Sequence, residues 1–595
     1  MGRLLYALAA SAAIGAQLAA SPAWAAQPRA AIAGDMDPDL RAAIARAIGE
    51  TDRPIDNRFE ARRRANAAAE DATAVLRSEG YYAYDVEPEL GDGDIPVPAV
   101  RIAPGPRFKL ARPAIEWVGG PPDPVTDLAA QAALALDRGA PGRAADIVSA
   151  EGRAVAAVQD RGYADVAAQP RQVVVDHADQ SIQPTYRLAT GPRVRLDGVR
   201  LAANGRTGAA WVAGLAPWRR GDLYKADDVA RLERRLLDTG IYDTVTVALA
   251  PADQATPDGL RPVVVSLSER KRRTIEAGAS YGTNEGPGLD VRWTHYNVLG
   301  RADTLALFAK ESKIDSRLGV DLSLPHWRMP DQTLTLDAAA YHATTDAYDA
   351  TGVGFRADAQ RHFTKTSYLT LGGSLDVSHS SEIKPGTLTS LGRDIITVAA
   401  LADLALDRSD DPLNPTHGWR VSARAEPTLL SGTGAVPYLK VQAGGSVYVP
   451  FGEKATTVVA ARLHLGSIVN GTVAEIPAPQ RFYAGGGGSV RGFAYQGVGP
   501  RLADNSTPQG GLSVAEGSIE VRHELTRDWG VVAFVDAGAV GSTGFPNLKD
   551  VGVGAGVGVR YNLGFGPIRV DVAAPVSGRR GGAPFQIYVS IGQAF

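Results

Sequence analysis

The second half of the chain alternates apolar with small or polar residues over about 320 residues. The stretches 369–377, 459–466 and 551–559 show this pattern. Successive side chains of a β-strand point to opposite faces, so a period of two predicts strands with one apolar face. A soluble sandwich alternates in the same way. Alternation on this scale, without a helical interlude in a secreted chain, favours a transmembrane β-barrel.

The first 26 residues have the pattern of a secretory signal peptide. Arg3 supplies the positive start, residues 4–20 are apolar, and Ala23-Trp24-Ala25 forms an A-x-A cleavage site. The alternative is a membrane-anchor helix, but the apolar run is short and ends at Pro22. We therefore expect cleavage. No later segment approaches the ~20 apolar residues of a spanning helix, so entry into a membrane requires a closed barrel.

Length, charge and composition exclude several classes of protein. A chain of 595 residues is too long for one core. A net charge of -3 gives no global field for nucleic acid, so no nucleic-acid partner is expected. The absence of cysteine excludes disulfides and thiolate zinc sites.

No catalytic pattern is found. The glycine run at 485–488 is not followed by the Gly-Lys-Ser/Thr of a P-loop, and the G-x-S-x-G pattern fails at Arg491. We expect the histidines to be strand or turn residues rather than metal ligands; they include His295, His326, His417 and His523. The sequence therefore predicts a protein that is not an enzyme and has no cofactor or metal.

A pattern of about 80 residues repeats three times before the alternating half. Each unit has a helical stretch, then Gly80, Gly162 or Gly240 close to a tyrosine, then a β-like run. Basic boundaries close the units at 104–108, 190–194 and 269–273. In the third unit Val229, Leu232 and Leu236 share one helical face, and Gly240 is placed as the C′ residue.

These units resemble POTRA domains, the polypeptide-transport-associated modules, although generic α+β repeats remain an alternative. The predicted boundaries are a signal at 1–26, modules at 27–105, 106–191 and 192–273, and a barrel at 274–595. Such a module offers an exposed sheet edge that can pair with an extended client strand.

The first and last strands of the alternating half are predicted to meet. In the last strand one face carries Phe585, Ile587, Val589, Ile591 and Phe595, with Gln593 as the polar exception. A terminal phenylalanine after such alternation resembles the C-terminal recognition signal of outer-membrane barrels; an ordinary buried final strand is the alternative. The first strand, near 274–281, contains Gly278, which weakens side-chain pairing.

A glycine-rich segment at 481–493 is a poor core and a poor helix, because glycine frees the backbone for unusual conformations. It carries a single arginine, Arg491, whose burial inside a barrel is expensive unless the charge is paired. Asp536 can accept a bidentate fork from Arg491. The alternative is a surface arginine and an unrelated aspartate.

Val490-Arg491-Gly492-Phe493 resembles the sixth-loop V-R-G-F/Y motif of the outer-membrane assembly and translocation superfamily. Further segments match the family along nearly the whole mature chain: 297–301, 407–419, 517–522 with Glu520, 534–538 with Phe534, Asp536 and Gly538, and 566–575. The resemblance implies that the carboxylate of Asp536 faces the loop arginine. It also implies sixteen strands, although 14 or 18 would fit the length.

Three modules make the TamA subfamily the best match within this superfamily. The resemblance implies α+β tandem POTRA modules in the periplasm, followed by a 16-stranded antiparallel transmembrane β-barrel in the bacterial outer membrane. It implies a factor that receives unfolded outer-membrane protein clients and inserts them through a laterally opening seam. Expected partners are these clients, a TamB-like inner-membrane-anchored protein and outer-membrane lipid.

Three other functions are open at this stage. A two-partner secretion pore exports a soluble passenger, but normally carries two modules and a plug helix. A general BamA-type assembly factor shares the loop and barrel. A passive porin or ligand receptor, from a different class, is disfavoured by the modules and the loop motif.

Overall fold

The computed structural model describes residues 27–595 except 93–95, 204, 283–285, 433, 453–455, 547, 549, 564–565 and 579–582. The predicted signal peptide, 1–26, lies outside the described residues. The described chain forms two compact units. The first contains the residues up to Gly198 with Trp218–Ala230 and Ala250–Pro262, and the second contains Val199–Pro217, Arg231–Leu249 and Val263–Phe595.

The first α/β region packs two helices on a three-stranded sheet of order β2-β5-β4. Its elements are β1 (Gln27–Pro28), β2 (Ala31–Ala33), α1 (Pro38–Ile48), β3 (Glu50–Thr51), α2 (Arg58–Ser78), β4 (Asp85–Leu90) and β5 (Pro98–Ala103). Asn57 caps α2 by accepting a hydrogen bond from the Glu60 amide at 2.9 Å. The small face of α2, including Ala65 and Ala72, is buried.

The second α/β region has a four-stranded sheet in which β9 pairs with β6, β7 and β8. Its elements are β6 (Lys109–Leu110), β7 (Ala114–Val118), α3 (Pro124–Ala133), α4 (Ala144–Gln159), β8 (Ala167–Asp176) and β9 (Ser181–Ala189). Asp123 caps α3 by accepting from the Thr126 amide at 3.3 Å. The buried face of α4 includes Ile147 and Val158.

The third α/β region has a sheet of order β10-β12-β11. Its elements are β10 (Leu196–Leu201), α5 (Ala209–Gly214), α6 (Ala226–Leu237), β11 (Tyr242–Leu249) and β12 (Arg261–Glu269). The helical face of Val229, Leu232 and Leu236 is buried as the periodicity predicted. No described helix is long and apolar enough to cross a bilayer.

The three repeat glycines have left-handed backbones, with φ of 91° at Gly80, 96° at Gly162 and 71° at Gly240. Only glycine adopts this conformation routinely, which explains why each helix ends before the same residue type. The three regions have the α+β content of POTRA modules, and their boundaries at 105, 191 and 273 stay predictions.

Sixteen antiparallel strands in sequential order form the C-terminal sheet, which confirms the predicted fold class and strand number. They are β13 (Arg273–Gly282), β14 (Gly286–Tyr296), β15 (Thr304–Ser312), β16 (Asp315–Leu324), β17 (Gln332–Thr344), β18 (Tyr348–His362), β19 (Tyr368–Ile383), β20 (Ser390–Asp407), β21 (Gly418–Ser431), β22 (Ala435–Phe451), β23 (Thr457–Val469), β24 (Ser513–Glu524), β25 (Trp529–Gly541), β26 (Gly552–Leu563), β27 (Gly566–Ser577) and β28 (Gln586–Ile591).

The strands expose one row of side chains and cover the other. On β26, Val557 and Val559 are exposed, whereas the neighbouring glycines and Arg560 point inward. Exposed apolar residues recur along nearly every strand of the sheet, at positions such as Leu318 and Val535. An apolar outer row over a polar and glycine-rich inner row is the arrangement of a membrane barrel.

The pairing of the sheet is weakest where its first and last strands meet. β28 has 6 residues, whereas β20 has 18. β13 lies beside β28, yet the strand order runs from β13 to β28 and, among the described residues, no backbone ladder joins these two strands. We call the junction of β13 and β28 the seam.

Candidate functional site: a buried arginine inside the barrel

The loop at 470–512, between β23 and β24, folds back onto the inward faces of the barrel strands. Its residues Phe482, Val490 and Phe493 are buried in one apolar cluster with Val514 of β24 and Val540 of β25. The loop therefore has an apolar base that fixes it against the wall. The arginine that the sequence singled out lies within this packed segment.

Arg491 is bound by three carboxylates from three strands. Its Nε and Nη2 atoms donate to Asp536 at 2.7 and 2.9 Å in a bidentate fork, and its amide donates to the same carboxylate at 3.0 Å. Nη1 lies 2.7 Å from Glu520 and 3.0 Å from Asp571. We call Arg491, Asp536, Glu520 and Asp571 the loop lock.

The loop lock is cut off from solvent. Arg491 is 2% exposed, and its three acids are 0% exposed. The guanidinium lies 3.4 Å from the ring centroid of Phe534, a cation–π contact that covers its remaining face. Ser518 donates to Asp536 at 2.6 Å. Such a desolvated group is stable only when every charge keeps its partner.

Further arginines balance the acids of the loop lock. Arg522 lies 2.9 Å from Glu520, and Arg560 lies 2.6 Å from Asp571. The lock thus sits in a network of alternating charges that joins the loop to β24, β25, β26 and β27. Sequence reasoning included Glu520 and missed Asp571, although Asp571 lies in the matched segment 566–575.

A row of inward glycines on β26 makes room for the loop. A Cβ on Gly554 would lie 1.8 Å from the Arg491 carbonyl oxygen, and one on Gly558 would lie 2.0 Å from the Asp571 carboxylate. A Cβ on Gly556 would lie 2.5 Å from the Phe534 ring. The alternation of glycine with valine at 551–559 was therefore a signal for the site as well as for a strand.

One predicted site glycine, Gly538, lies against the loop, and another, Gly492, belongs to it. A Cβ on Gly538 would lie 2.5 Å from the Val490 side chain. Gly492 has a φ of 97°, and its amide donates to the Tyr588 hydroxyl at 3.0 Å. Tyr588 in turn donates to the Phe493 carbonyl at 3.0 Å. Because Tyr588 belongs to β28, the loop holds the last strand directly.

The structure separates the predicted residues of the last strand. Val589 and Ile591 are exposed on the outer row of β28. The prediction that Phe595 continues this row is wrong, because β28 ends at Ile591 and Gly592 turns the chain with a φ of 86°. The Phe595 ring packs instead on Tyr448, an inward residue of β22, with 6.4 Å between ring centroids.

Gly278 lies on the inner row of β13, opposite Asp290 of β14. A Cβ at Gly278 would lie 2.6 Å from the Asp290 carboxylate, so the neighbouring side chain occupies the space that glycine leaves. Gly278 therefore contributes no side-chain contact between β13 and β28.

Two predicted hallmark turns lie at the end of the barrel where β13 begins. The turn that contains Asn297 contacts the third α/β region: Asn297 donates to Thr207 at 2.9 Å, and Thr207 donates to Glu269 at 2.8 Å. Gly208 also donates to the Gly300 carbonyl at 2.8 Å. This set of contacts is the module joint.

The second hallmark turn, at 408–417, is the brace turn. Its Asp410 accepts from the amides of Thr416 and His417, which makes the turn rigid. Asn414 accepts from the side chain of Gln593 at 2.9 Å, and the Leu413 carbonyl accepts from the Gln593 amide at 2.9 Å. The brace turn therefore holds the chain just after β28.

The arrangement suits mechanical support, because each buried acid of the loop lock forms an ion pair with at least one arginine. Within the described residues, no group of three or more His, Cys, Asp or Glu side chains is placed to hold a metal ion. The site connects a loop, four consecutive strands and the last strand.

Comparison with known proteins agrees with this geometry. The Omp85 superfamily domain matches residues 297–595. The outer membrane protein assembly factor BamA of Neorickettsia risticii is 24% identical over 416 residues, covering 67% of this chain and 54% of that protein. A SAM50-like protein of Drosophila melanogaster is 25% identical over 304 residues, covering 47% of this chain and 64% of that protein.

The chain thus spans between about half and two thirds of the length of these relatives. In structure it is similar to BamA from Haemophilus ducreyi lacking POTRA domains 1–3, with a TM-score of 0.68 and 18% identity, over 82% of this chain and 100% of that one. The family domain covers half of the chain and includes the entire loop lock. The chain therefore belongs to the Omp85 superfamily, as an outer-membrane β-barrel protein with periplasmic α/β modules.

Proposed function

We propose that this protein assembles or translocates other outer-membrane proteins. Its periplasmic modules receive unfolded clients, and its barrel inserts their strands. The observation that carries this proposal is the seam: β13 and β28 are neighbours without a ladder between described residues. A sheet with two unpaired edges offers a template for a client strand by edge pairing.

The loop lock supports this role by holding the wall on one side of the seam. Arg491 joins β24, β25 and β27 through its acids, and Tyr588 joins β28 to the same loop. The wall next to the seam is thus stiff, while the seam itself is weakly paired. Opening at the seam then leaves the rest of the barrel intact.

Within the superfamily, we propose a TamA-like role for this protein. Its proposed partners are a TamB-like protein anchored in the inner membrane and the lipid of the outer membrane. Three α/β regions precede the barrel among the described residues, and three is the number of modules that suggested this subfamily. The alternative is a general BamA-type assembly factor, which is favoured by the sequence similarity to BamA of Neorickettsia risticii.

Depletion followed by quantitative outer-membrane proteomics separates these roles. A TamA-like factor predicts loss of a few barrel proteins, and a general factor predicts loss of nearly all of them. Unchanged levels of every barrel protein would contradict both roles. An intact barrel proteome with one missing secreted passenger would instead support a two-partner secretion pore.

A further inference from the structure

A second buried arginine holds the same loop at a different place. Arg481 Nη2 donates to Glu382 of β19 at 2.9 Å, and both side chains are 1% exposed. The Ala478 amide donates to the same carboxylate at 2.7 Å. This ion pair lies on a different strand from every acid of the loop lock.

Arg393 of β20 completes the cluster. It lies 3.0 Å from Glu382 and donates to the loop carbonyls of Ala474 and Glu475 at 2.7 and 3.0 Å. Arg481 also donates to the Gln509 carbonyl at 2.9 Å, near the other end of the loop. We call Arg481, Glu382 and Arg393 the outer clasp.

The position of the outer clasp follows from the strand order. β13 is the first strand of the barrel, so each even-numbered strand begins at the end opposite to the start of β13, which we call the outer end. Arg393 lies near the start of β20, and Glu382 lies near the end of β19, so both lie at that outer end. Below them, Ile476 and Phe482 of the loop pack on inward side chains such as Tyr438.

We propose that the outer clasp seals the outer mouth of the barrel by keeping the loop seated as a plug, while the loop lock supports the wall beside the seam. Glu382 is the shared anion of two guanidinium groups. Removing its charge leaves Arg481, which is buried, and Arg393, whose side chain is 13% exposed, without their shared carboxylate. The loop relieves this cost by leaving its seat for water. The seal is separate from client insertion, so it goes beyond the proposed function.

Ion conductance of the full-length protein in planar lipid bilayers tests the seal. We expect Glu382→Gln to raise the open probability at least about tenfold, and Glu382→Asp, which keeps the charge, to raise it less. The matched control is Asp394→Asn, since Asp394 adjoins Arg393 on β20 and its side chain is 93% exposed. Client insertion is measured in parallel, and Glu382→Gln should retain it.

Each outcome decides the proposal. Folded Glu382→Gln protein with wild-type conductance would overturn it, and so would an equal rise in Asp394→Asn. If Glu382→Gln does not fold, Arg393→Gln, which leaves Arg481 paired with Glu382, should conduct more than wild type; an unchanged conductance would then overturn the seal. Failure of insertion in the wild-type protein would contradict the proposed function and leave the conductance result intact.

Discussion

Replacing Arg491 with alanine leaves the three buried acids of the loop lock without their shared cation. We expect the Arg491→Ala barrel to be less stable by about 3–5 kcal/mol, because the remaining charges cannot be rehydrated in place. Urea unfolding followed by heat-modifiable gel mobility measures this loss. Arg501→Ala, in the same loop, is the control, since Arg501 binds loop carbonyls. Equal stability of Arg491→Ala and wild type would show that the loop lock does not stabilise the barrel.

The glycine row of β26 gives a second prediction at the level of single residues. Gly554→Val should prevent the loop from seating, because its Cβ would lie 1.8 Å from the Arg491 carbonyl oxygen. Protease sensitivity of the loop in intact membranes should rise. Ala555→Val, the next position, points outward and should leave the loop protected. A protected loop in Gly554→Val would contradict the close approach.

At this scale a lone arginine on a glycine-rich loop predicted a buried acid as its partner, and the family resemblance of residues 534–538 identified that acid as Asp536. The sequence did not predict the roles of Asp571 and Tyr588, because nothing near an acid or a tyrosine on an alternating strand indicates which distant residue it contacts. The inward position of the Phe595 ring was also not predictable from the sequence, because it depends on the left-handed backbone of one residue, Gly592.

Among the elements, we expect the module joint to be sensitive to pH. Burial works against the charged form of Glu269, but the hydrogen bonds from Thr207 and the ion pair with Arg206 outweigh it, so the pKa of Glu269 lies below its ordinary value of 4.5. A lowered pKa means that the stabilisation is present above the pKa of the unfolded chain and is lost as the pH falls through that of the folded one.

Melting temperatures of the wild-type protein and Glu269→Gln across pH test this sign. The advantage of the wild type should be constant between about pH 6 and 8 and should shrink below about pH 4.5. Asp243→Asn, exposed on β11, serves as the control and should show no such pH dependence. An advantage that grows as the pH falls would contradict the argument.

The brace turn makes a separate prediction about β28. Asn414→Ala removes the acceptor for the Gln593 side chain, so the last strand should open more often at that end. Hydrogen exchange of the amides at 586–591 should become faster by about tenfold or less, the effect of one net hydrogen bond. Thr364→Ala, in the turn between β18 and β19, should leave those amides unchanged. Unchanged hydrogen exchange in Asn414→Ala would contradict the claim that the brace turn stabilises β28.

Elements were the most predictable part of the fold. A period of two, and buried positions such as Val229 and Leu236, give strands and helices directly, since local geometry sets which side chains share a face. The contacts of the brace turn with Gln593 were not predictable, because they join positions that are distant in the sequence and meet only when the barrel closes.

For the whole molecule, the design combines a stiff wall with a weak junction. The loop lock and the inward glycines fix the strands from β24 to β27, and the loop reaches across the inner space to the outer clasp on β19 and β20. Against this, the seam has a six-residue strand and no ladder among the described residues. The three α/β regions contribute further sheet edges in the periplasm.

A reversible covalent clamp across the seam tests the central claim most directly. The chain has no cysteine, so Ala277→Cys with Val589→Cys places two thiols on the outer rows of β13 and β28 and no others. We predict that the oxidised double variant loses client insertion, that reductant restores it, and that each single variant stays active in both states. Full insertion activity of the oxidised, demonstrably cross-linked protein would contradict the lateral mechanism.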